Sequence, residues 1–419
     1  MGNLARHGAV FVSCGACLLF ACSGGSDAPT GGAGAASQEI AGANAMGANA
    51  GAGTAGKIAS AGAGGTNAGP GSAGATGAAG KTGSSGGSGN SGAGSSGAMG
   101  SAGAGGAAQV GLGRFPASSP FYQDISQATL DSQSGAILDA LNKIGWGDAP
   151  NRTELGIDFS FNINLADASV MPRAFTKTAA FYSPDCDTAP VPLPAGGKGE
   201  GVDDYACTGG DCHLFVYQGM RLYELYQSNI TGGMAVGGTF KATCLVVWDL
   251  TRDYWLPQNP PSFSRGDGCT GADAADLPMA PLVITKTELS AGNIAHALRF
   301  TIDNNRIAET AYVHPATHLG GPTGGADTLP YGARLRLRGD YNLASLPNEG
   351  ARTVAKALQK YGMYLADGGN IYLSATSDAS DLISNSILSA LKPNDFQMVD
   401  GGPRIDAASQ DCKHVPITQ

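Results

Sequence analysis

A tract of small residues near the N-terminus limits which part of this chain can fold. Between positions 23 and 110, 66 of 88 residues are glycine, alanine or serine, and none is aromatic. Such a tract cannot bury enough apolar surface to offset the entropy lost on ordering it. We therefore expect a disordered tether over residues 22–110 and a single folded domain over residues 111–419, which is long enough for one large core.

The first 21 residues have the features of an export signal. Arg6 supplies a positive charge, and the uncharged segment over residues 8–21 is too short to span a bilayer, which needs about 20 apolar residues. The segment ends in Leu-Phe-Ala-Cys at Cys22, which resembles the lipobox of bacterial lipoproteins. The resemblance implies a signal peptide over residues 1–21, a lipid on Cys22, and sorting to the outer membrane or cell surface. The alternative is an ordinary secretory peptide that is cleaved after Ala21.

The charge of the folded part argues against nucleic acid as a partner. Residues 111–419 contain 22 Lys and Arg against 32 Asp and Glu, which gives a net charge of -10 with no basic run to offset it. Nucleic-acid binding depends on such basic patches. The expected partners are instead the membrane, through the N-terminal lipid, and a polysaccharide. The sequence predicts either no cofactor or one that it does not identify.

The cysteines of the folded part predict disulfide bonds. Six remain once Cys14 and Cys17 are assigned to the signal peptide and Cys22 to the lipid. An even number in an exported domain indicates three disulfides, with 15 possible pairings. Zinc is the alternative, but no C-x-x-C pair occurs among these six. The six are Cys186, Cys207, Cys212, Cys244, Cys269 and Cys412.

Hydrophobic patterning predicts a β-rich α+β fold. Residues 155–165 alternate between apolar and polar side chains, as in a half-buried strand. Helical spacing follows Asp131 and Asn348 and occurs over residues 381–391. Strands joined by long loops favour one large domain on an antiparallel sheet or sandwich, with a few packed helices and disulfides across the loops. Further strands are predicted over residues 213–217, 222–226, 239–250, 294–302, 311–314, 333–337 and 371–374.

Histidines provide the strongest functional signal. His296 shares the apolar face of its predicted strand, where burial favours the neutral imidazole; it is either a packed core residue or a catalytic base. Asp211 and His213 lie on the same face if the strand predicted over residues 213–217 extends back to Asp211. They are then an acid–base pair; the alternative is that Asp211 only makes hydrogen bonds within a turn. His318 follows a strand beside a glycine-rich loop, where it is either a site residue or an exposed one.

Three further residues are candidates for a carbohydrate site. Asp273 is either a catalytic acid or the cap of a short helical turn. Tyr254 and Trp255 stack on a sugar ring if they are exposed and belong to the core if they are buried.

Several stretches of the folded part together resemble a family of exported bacterial proteins of uncharacterised activity. The resemblance covers nearly all of residues 111–419 and implies one integral domain. It carries over no catalytic residues, and the tether has no counterpart in it. The stretches are residues 222–226, 271–278, 296–301, 315–318 and 357–369.

These features lead to one functional hypothesis and two alternatives. The first is a cell-surface lipoprotein that binds or acts on an extracellular polysaccharide, as a hydrolase or lyase with a His/Asp acid–base site. The second is a non-catalytic binding or structural lipoprotein. The third is a zinc or copper enzyme whose ligands are His213, His296 and His318.

Overall fold

Residues 112–207, 209–256 and 264–419 are described by the structure, a computed structural model. They form the strand-rich α+β fold that the patterning predicts. The predicted signal peptide, Cys22 and the tether lie outside the described residues, as do the boundaries predicted after residues 21 and 110. No helix in the described part of the chain is long and apolar enough to cross a membrane.

The strands are short and are distributed along the whole described chain. They are β1 (Gly156–Phe161), β2 (Ile163–Leu165), β3 (Thr176–Lys177), β4 (Leu214–Gln218), β5 (Arg221–Tyr226), β6 (Asn229–Ile230), β7 (Phe240–Ala242), β8 (Cys244–Asp249), β9 (Leu298–Ile302), β10 (Ile307–Tyr312), β11 (Leu329–Tyr331), β12 (Arg334–Leu337), β13 (Met363–Gly368), β14 (Tyr372–Thr376), β15 (Phe396–Val399) and β16 (Ile405–Asp406). The helices are α1 (Ser134–Ile144), α2 (Lys286–Ala291) and α3 (Glu349–Lys360).

The largest sheet has six strands in the order β1-β14-β9-β13-β12-β15. It is mixed: β1 is parallel to β14 and β9 to β13, while the other neighbours are antiparallel. The central strand β9 is buried along almost its whole length, so a charged residue on it needs a partner inside the protein.

A second sheet, β2-β4-β5-β8, separates two hydrophobic cores. Phe215 and Tyr217 of β4 pack into the larger core, and Leu214 and Val216 pack into the smaller one. Because side chains alternate along a strand, His213, just before β4, lies on the side of the larger core, in line with its predicted face. Two three-stranded sheets complete the fold, in the orders β11-β10-β16 and β3-β7-β6.

Two of the three predicted helices form. Asn348 caps α3 by accepting a hydrogen bond from the Ala351 backbone, and Asp131 accepts one from Gln133 just before α1. The prediction of a helix over residues 381–391 is wrong, because a short 3-10 helix ends at Asp381 and turns and bends follow it. Its Asn385 exchanges hydrogen bonds with the backbone of Ile157, and such polar side chains compete with helical hydrogen bonding.

The six cysteines form three disulfides, as predicted. The pairs join residues 58, 5 and 143 positions apart in the sequence. Disulfides of this kind persist in oxidising compartments, which is consistent with export. The pairs are Cys186–Cys244, Cys207–Cys212 and Cys269–Cys412.

Candidate functional site

A buried arginine on β9 binds two carboxylates at once. Nε and Nη2 of Arg299 donate to Oδ1 of Asp273 at 2.9 and 2.7 Å, and Nη2 also donates to Oδ2 of Asp367 at 3.1 Å. Nη1 donates to Oγ of Ser374 at 3.0 Å. A buried guanidinium is stable only with such partners. We call these four residues the Arg299 cluster.

The large sheet and one loop position this cluster. Arg299 lies beside Tyr364 in the parallel pairing of β9 with β13, whose register shifts before Asp367. Irregularities of this kind redirect side chains at the ends of strands. The loop that carries Asp273 is held to the same place because the Ala275 amide donates to the Ala366 carbonyl at 3.0 Å.

An ion pair adjoins the Arg299 cluster. Nδ1 of His213 lies 2.7 Å from Oε2 of Glu200, and its Nε2 lies 2.9 Å from the carbonyl of Ala272, the residue before Asp273. Burial alone would lower the pKa of His213, but the charge and the hydrogen bond of Glu200 together outweigh burial and raise that pKa to about 9. Burial would raise the pKa of Glu200, but His213 lowers it to about 2. Both groups are therefore charged at neutral pH.

The ion pair predicts a pH-dependent stability difference. The pKa of His213 is about 9 in the folded protein, against an ordinary value of 6.5, so protonated His213 stabilises the fold. This contribution is complete below pH 6.5 and is lost as the pH rises through about 9. The pKa of Glu200 is about 2 in the folded protein, against an ordinary value of 4.5, so ionised Glu200 stabilises the fold. This contribution is complete above pH 4.5 and is lost as the pH falls through about 2. His213→Gln should therefore cost about 3 kcal/mol at pH 5–6 and much less above pH 9, measured by urea unfolding.

The matched control is Lys356→Gln, which removes an exposed ion pair with Glu349. It should cost less than about 1 kcal/mol. A cost for His213→Gln that stays constant from pH 5 to pH 10 would contradict the ion-pair assignment.

Of the two carboxylates on Arg299, Asp367 is the one that solvent reaches. Its side chain is 28% exposed, whereas that of Asp273 is fully buried. Burial raises the pKa of both carboxyls, and the Arg299 charge opposes this rise. Asp367 is therefore a carboxyl that holds its proton more firmly than an ordinary aspartic acid and remains accessible to a ligand.

Two tyrosines form a platform beside these groups. The rings of Tyr182 and Tyr226 stack with centroids 6.3 Å apart and an interplanar angle of 16°, and the His213 ring lies 5.3 Å from that of Tyr226. Burial raises the pKa of Tyr226, and the carboxylate of Asp211 raises it further through charge and a hydrogen bond. Burial raises the pKa of Tyr182, and the charges of Asp211 and Asp367 raise it further. The tyrosine platform and Asp367 therefore lie in the same region.

Three of the predicted site residues meet here, though not as predicted. His213 and Asp273 flank Ala272, and Asp211 belongs to the edge of the region. The predicted pairing of Asp211 with His213 is wrong, because the carboxylate on the imidazole is Glu200. Asp273 is fully buried, and its Oδ1 is bound to Arg299. Its Oδ2 accepts a hydrogen bond from the Leu277 amide at 3.3 Å, so it closes the following turn, as the capping alternative predicts.

The other two predicted histidines have partners of their own. Nε2 of His296 lies 3.0 Å from Glu288 and its Nδ1 donates to the Ala297 carbonyl, so neither nitrogen is free to act as a base. Burial alone would lower its pKa, but Glu288 outweighs this and raises it, against the predicted neutral form. His318 donates from Nδ1 to the Ala274 carbonyl at 2.9 Å, and burial lowers its pKa.

The predicted stacking residues belong to the core. Tyr254 and Trp255 are 5% and 7% exposed. The Trp255 ring packs against Phe115 and Phe121 at centroid distances of 4.9 and 4.6 Å. Their ring faces are covered, which corrects the prediction that they stack on a sugar.

Nor do the described residues contain a metal centre of the predicted kind. Within them, no group of three or more His, Cys, Asp or Glu side chains is arranged to hold a metal ion. The three histidines proposed as ligands are instead hydrogen-bonded to Glu200, Glu288 and the Ala274 carbonyl.

A separate surface cavity of about 240 Å³ lies between α1 and β15. Leu138 and Phe396 form its apolar part, and Asp139 and Arg338 contribute charges. It includes no residue of the Arg299 cluster, so we place the candidate site at the cluster, where the polar groups converge.

Comparison with models of protein families, with curated proteins and with solved structures gives no match. The resemblance to a family of exported bacterial proteins therefore stays a prediction.

Proposed function

We propose that this chain is a lipid-anchored surface protein whose folded part binds an extracellular polysaccharide and cleaves it by acid–base catalysis. The observation that supports this most strongly is Asp367, a partly exposed carboxyl with a raised pKa that Arg299 holds beside the tyrosine platform. Raised carboxyl pKa values and aromatic surfaces are common in sites that hydrolyse glycosidic bonds.

In this proposal each group has one role. Asp367 donates its proton to the leaving glycosidic oxygen, and exposed Asp211 accepts a proton from the attacking water. Arg299 fixes the position of Asp367. His213 is charged and bound at both nitrogens, so it orients the Ala272–Asp273 loop rather than transferring a proton.

Non-catalytic binding is the second candidate, and one observation favours it. Arg299, Asp273 and His213 all have hydrogen-bond partners within the protein, as in a structural ion network. In that case the platform and the exposed Asp211 bind the glycan, and Asp367 only neutralises Arg299.

Cleavage assays with an Asp367 variant distinguish these two functions. Incubating the full chain with a panel of soluble polysaccharides should release new reducing ends, and Asp367→Asn should lower the rate about 10²- to 10⁴-fold, because the amide cannot donate the proton in the same way. Asp327→Asn, on an exposed loop, is the control and should keep the wild-type rate. Binding without cleavage would support the second candidate, and neither binding nor cleavage would contradict both.

The anchor is a separate part of the proposal. It is supported by the Leu-Phe-Ala-Cys motif at Cys22 and by three disulfides in the domain that follows. Several acyl chains bind a bilayer stably, at about 0.8 kcal/mol per buried methylene. The full chain should then partition into the detergent phase and Cys22→Ser into the aqueous phase; equal partitioning would contradict lipidation.

A further inference from the structure

Carboxyl groups outnumber cationic groups around the candidate site. Among the described residues, Arg299 interacts with Asp273 and Asp367, and His213 with Glu200. Two more carboxyl groups lie in the same region. Asp158 interacts by charge with Glu200 and Arg299, and Asp211 with Asp367 and the two tyrosines. Five carboxyl groups thus face two cationic groups.

The groups that remain accessible are also the acidic ones. Asp211 is exposed, and the side chains of Asp367 and Glu200 are 28% and 18% exposed. The cations lie deeper, with side-chain exposures of 3% for Arg299 and 10% for His213. A ligand that enters this region therefore meets carboxyl groups before it meets either positive group, and the exposed carboxylate of Asp211 repels an anionic sugar.

The tyrosine platform adds an independent preference. Tyr182 is 38% exposed, so part of its ring is available to a ligand. The faces of aromatic rings are negative and attract cations, and they also stack on the C–H faces of sugars. At Tyr226 this surface adjoins the carboxylate of Asp211. A sugar ring with an ammonium substituent satisfies both features at once.

From this arrangement we infer that the site selects polysaccharides that carry free amino groups, with Asp211 as the residue that determines specificity. This inference rests on the proposed function, because it names the substrate class of the same site. Asp211 binds the ammonium group while the tyrosine platform contacts the sugar ring. N-acetylated polymers lack the charge, and uronic acid polymers carry the opposite one.

Binding to three polymers tests this inference. The full chain is titrated, by calorimetry at low salt, with a soluble glucosamine oligomer, its N-acetylated counterpart and a uronic acid oligomer of the same length. We expect the glucosamine oligomer to bind at least 10-fold more tightly than the N-acetylated one, with a smaller ratio at 0.5 M salt. The uronic acid oligomer should bind most weakly.

Variants at Asp211 make the assignment specific. Asp211→Asn should weaken binding of the glucosamine oligomer about 5- to 10-fold more than binding of the N-acetylated oligomer, so that the preference for the amino sugar falls by that factor. Asp327→Asn should leave the preference intact. Equal binding of the first two oligomers, or a preference that Asp211→Asn does not change, would overturn this inference while leaving the proposed function in place. No binding of any oligomer would overturn both.

Discussion

Replacing Cys269 and Cys412 together with serine should lower the free energy of unfolding by about 5 kcal/mol. The bond between them closes a loop of 143 residues. In the chain-entropy model, opening a loop of this length increases the conformational entropy of the unfolded chain, which accounts for about 5 kcal/mol at 25 °C. Loss of the bond also releases the C-terminal segment, in which Ile417 donates to the buried carboxylate of Asp187. Urea unfolding followed by tryptophan fluorescence measures the effect.

The 5-residue loop of Cys207–Cys212 provides the matched control. Its double serine variant should lose only about 2 kcal/mol, because a short loop gains little entropy when it opens. Equal losses in the two variants would show that the length of the closed loop does not determine the stabilisation.

Arg299→Met should lower the free energy of unfolding by about 3–5 kcal/mol. This substitution leaves the fully buried Asp273 without its cation, and a lone charge inside a protein is far less stable than a bound one. Denaturant unfolding at neutral pH measures the loss. The loss should decrease in acid, where Asp273 takes up a proton in the variant.

Two further variants separate this effect from simple truncation. Arg338→Met removes an exposed pair with Asp340 and should cost less than about 1 kcal/mol. Adding Asp273→Leu to Arg299→Met removes the unpaired charge and should recover part of the stability. A double variant that is less stable than Arg299→Met alone would contradict the buried-charge explanation.

Much of the fold is predictable from local patterns, and the exceptions have physical causes. The segments predicted as strands over residues 213–217 and 222–226 form β4 and β5. β13 was not predicted. Its first four residues are all buried, and a short apolar run without alternation does not by itself distinguish a strand from a buried helix. The strand predicted over residues 239–250 is two strands, β7 and β8, interrupted at Thr243, whose hydroxyl donates to Gln227.

The candidate site was only partly predictable, because its contacts are distant in sequence. Residue type and local pattern were sufficient to select His213, Asp211 and Asp273 as candidate site residues. The pairing of Arg299 with Asp273 and Asp367 spans 26 and 68 residues, and no local pattern encodes it. One signal was present: an arginine between Leu298 and Phe300 in an apolar strand needs a buried carboxylate nearby.

His296 shows how the same reasoning fails when a strand begins later than expected. The alternation predicts a strand from residue 294, but β9 begins at Leu298. His296 therefore precedes the strand, where Glu288 at the start of α2 binds its ring. An ion pair with a helix that was not predicted determines its protonation.

Asp367 has a raised pKa, so it keeps its proton to a higher pH than an ordinary aspartic acid, and part of its side chain is accessible to a ligand. Carbon-13 NMR of aspartate-labelled protein, with the Asp367 signal assigned through Asp367→Asn, reports its titration directly. We predict that its midpoint in the folded chain lies above the ordinary 3.8 and falls when the protein is unfolded in urea. A folded-state midpoint at or below 3.8 would make Asp367 a permanently charged partner of Arg299 and would contradict an acid–base role for this site.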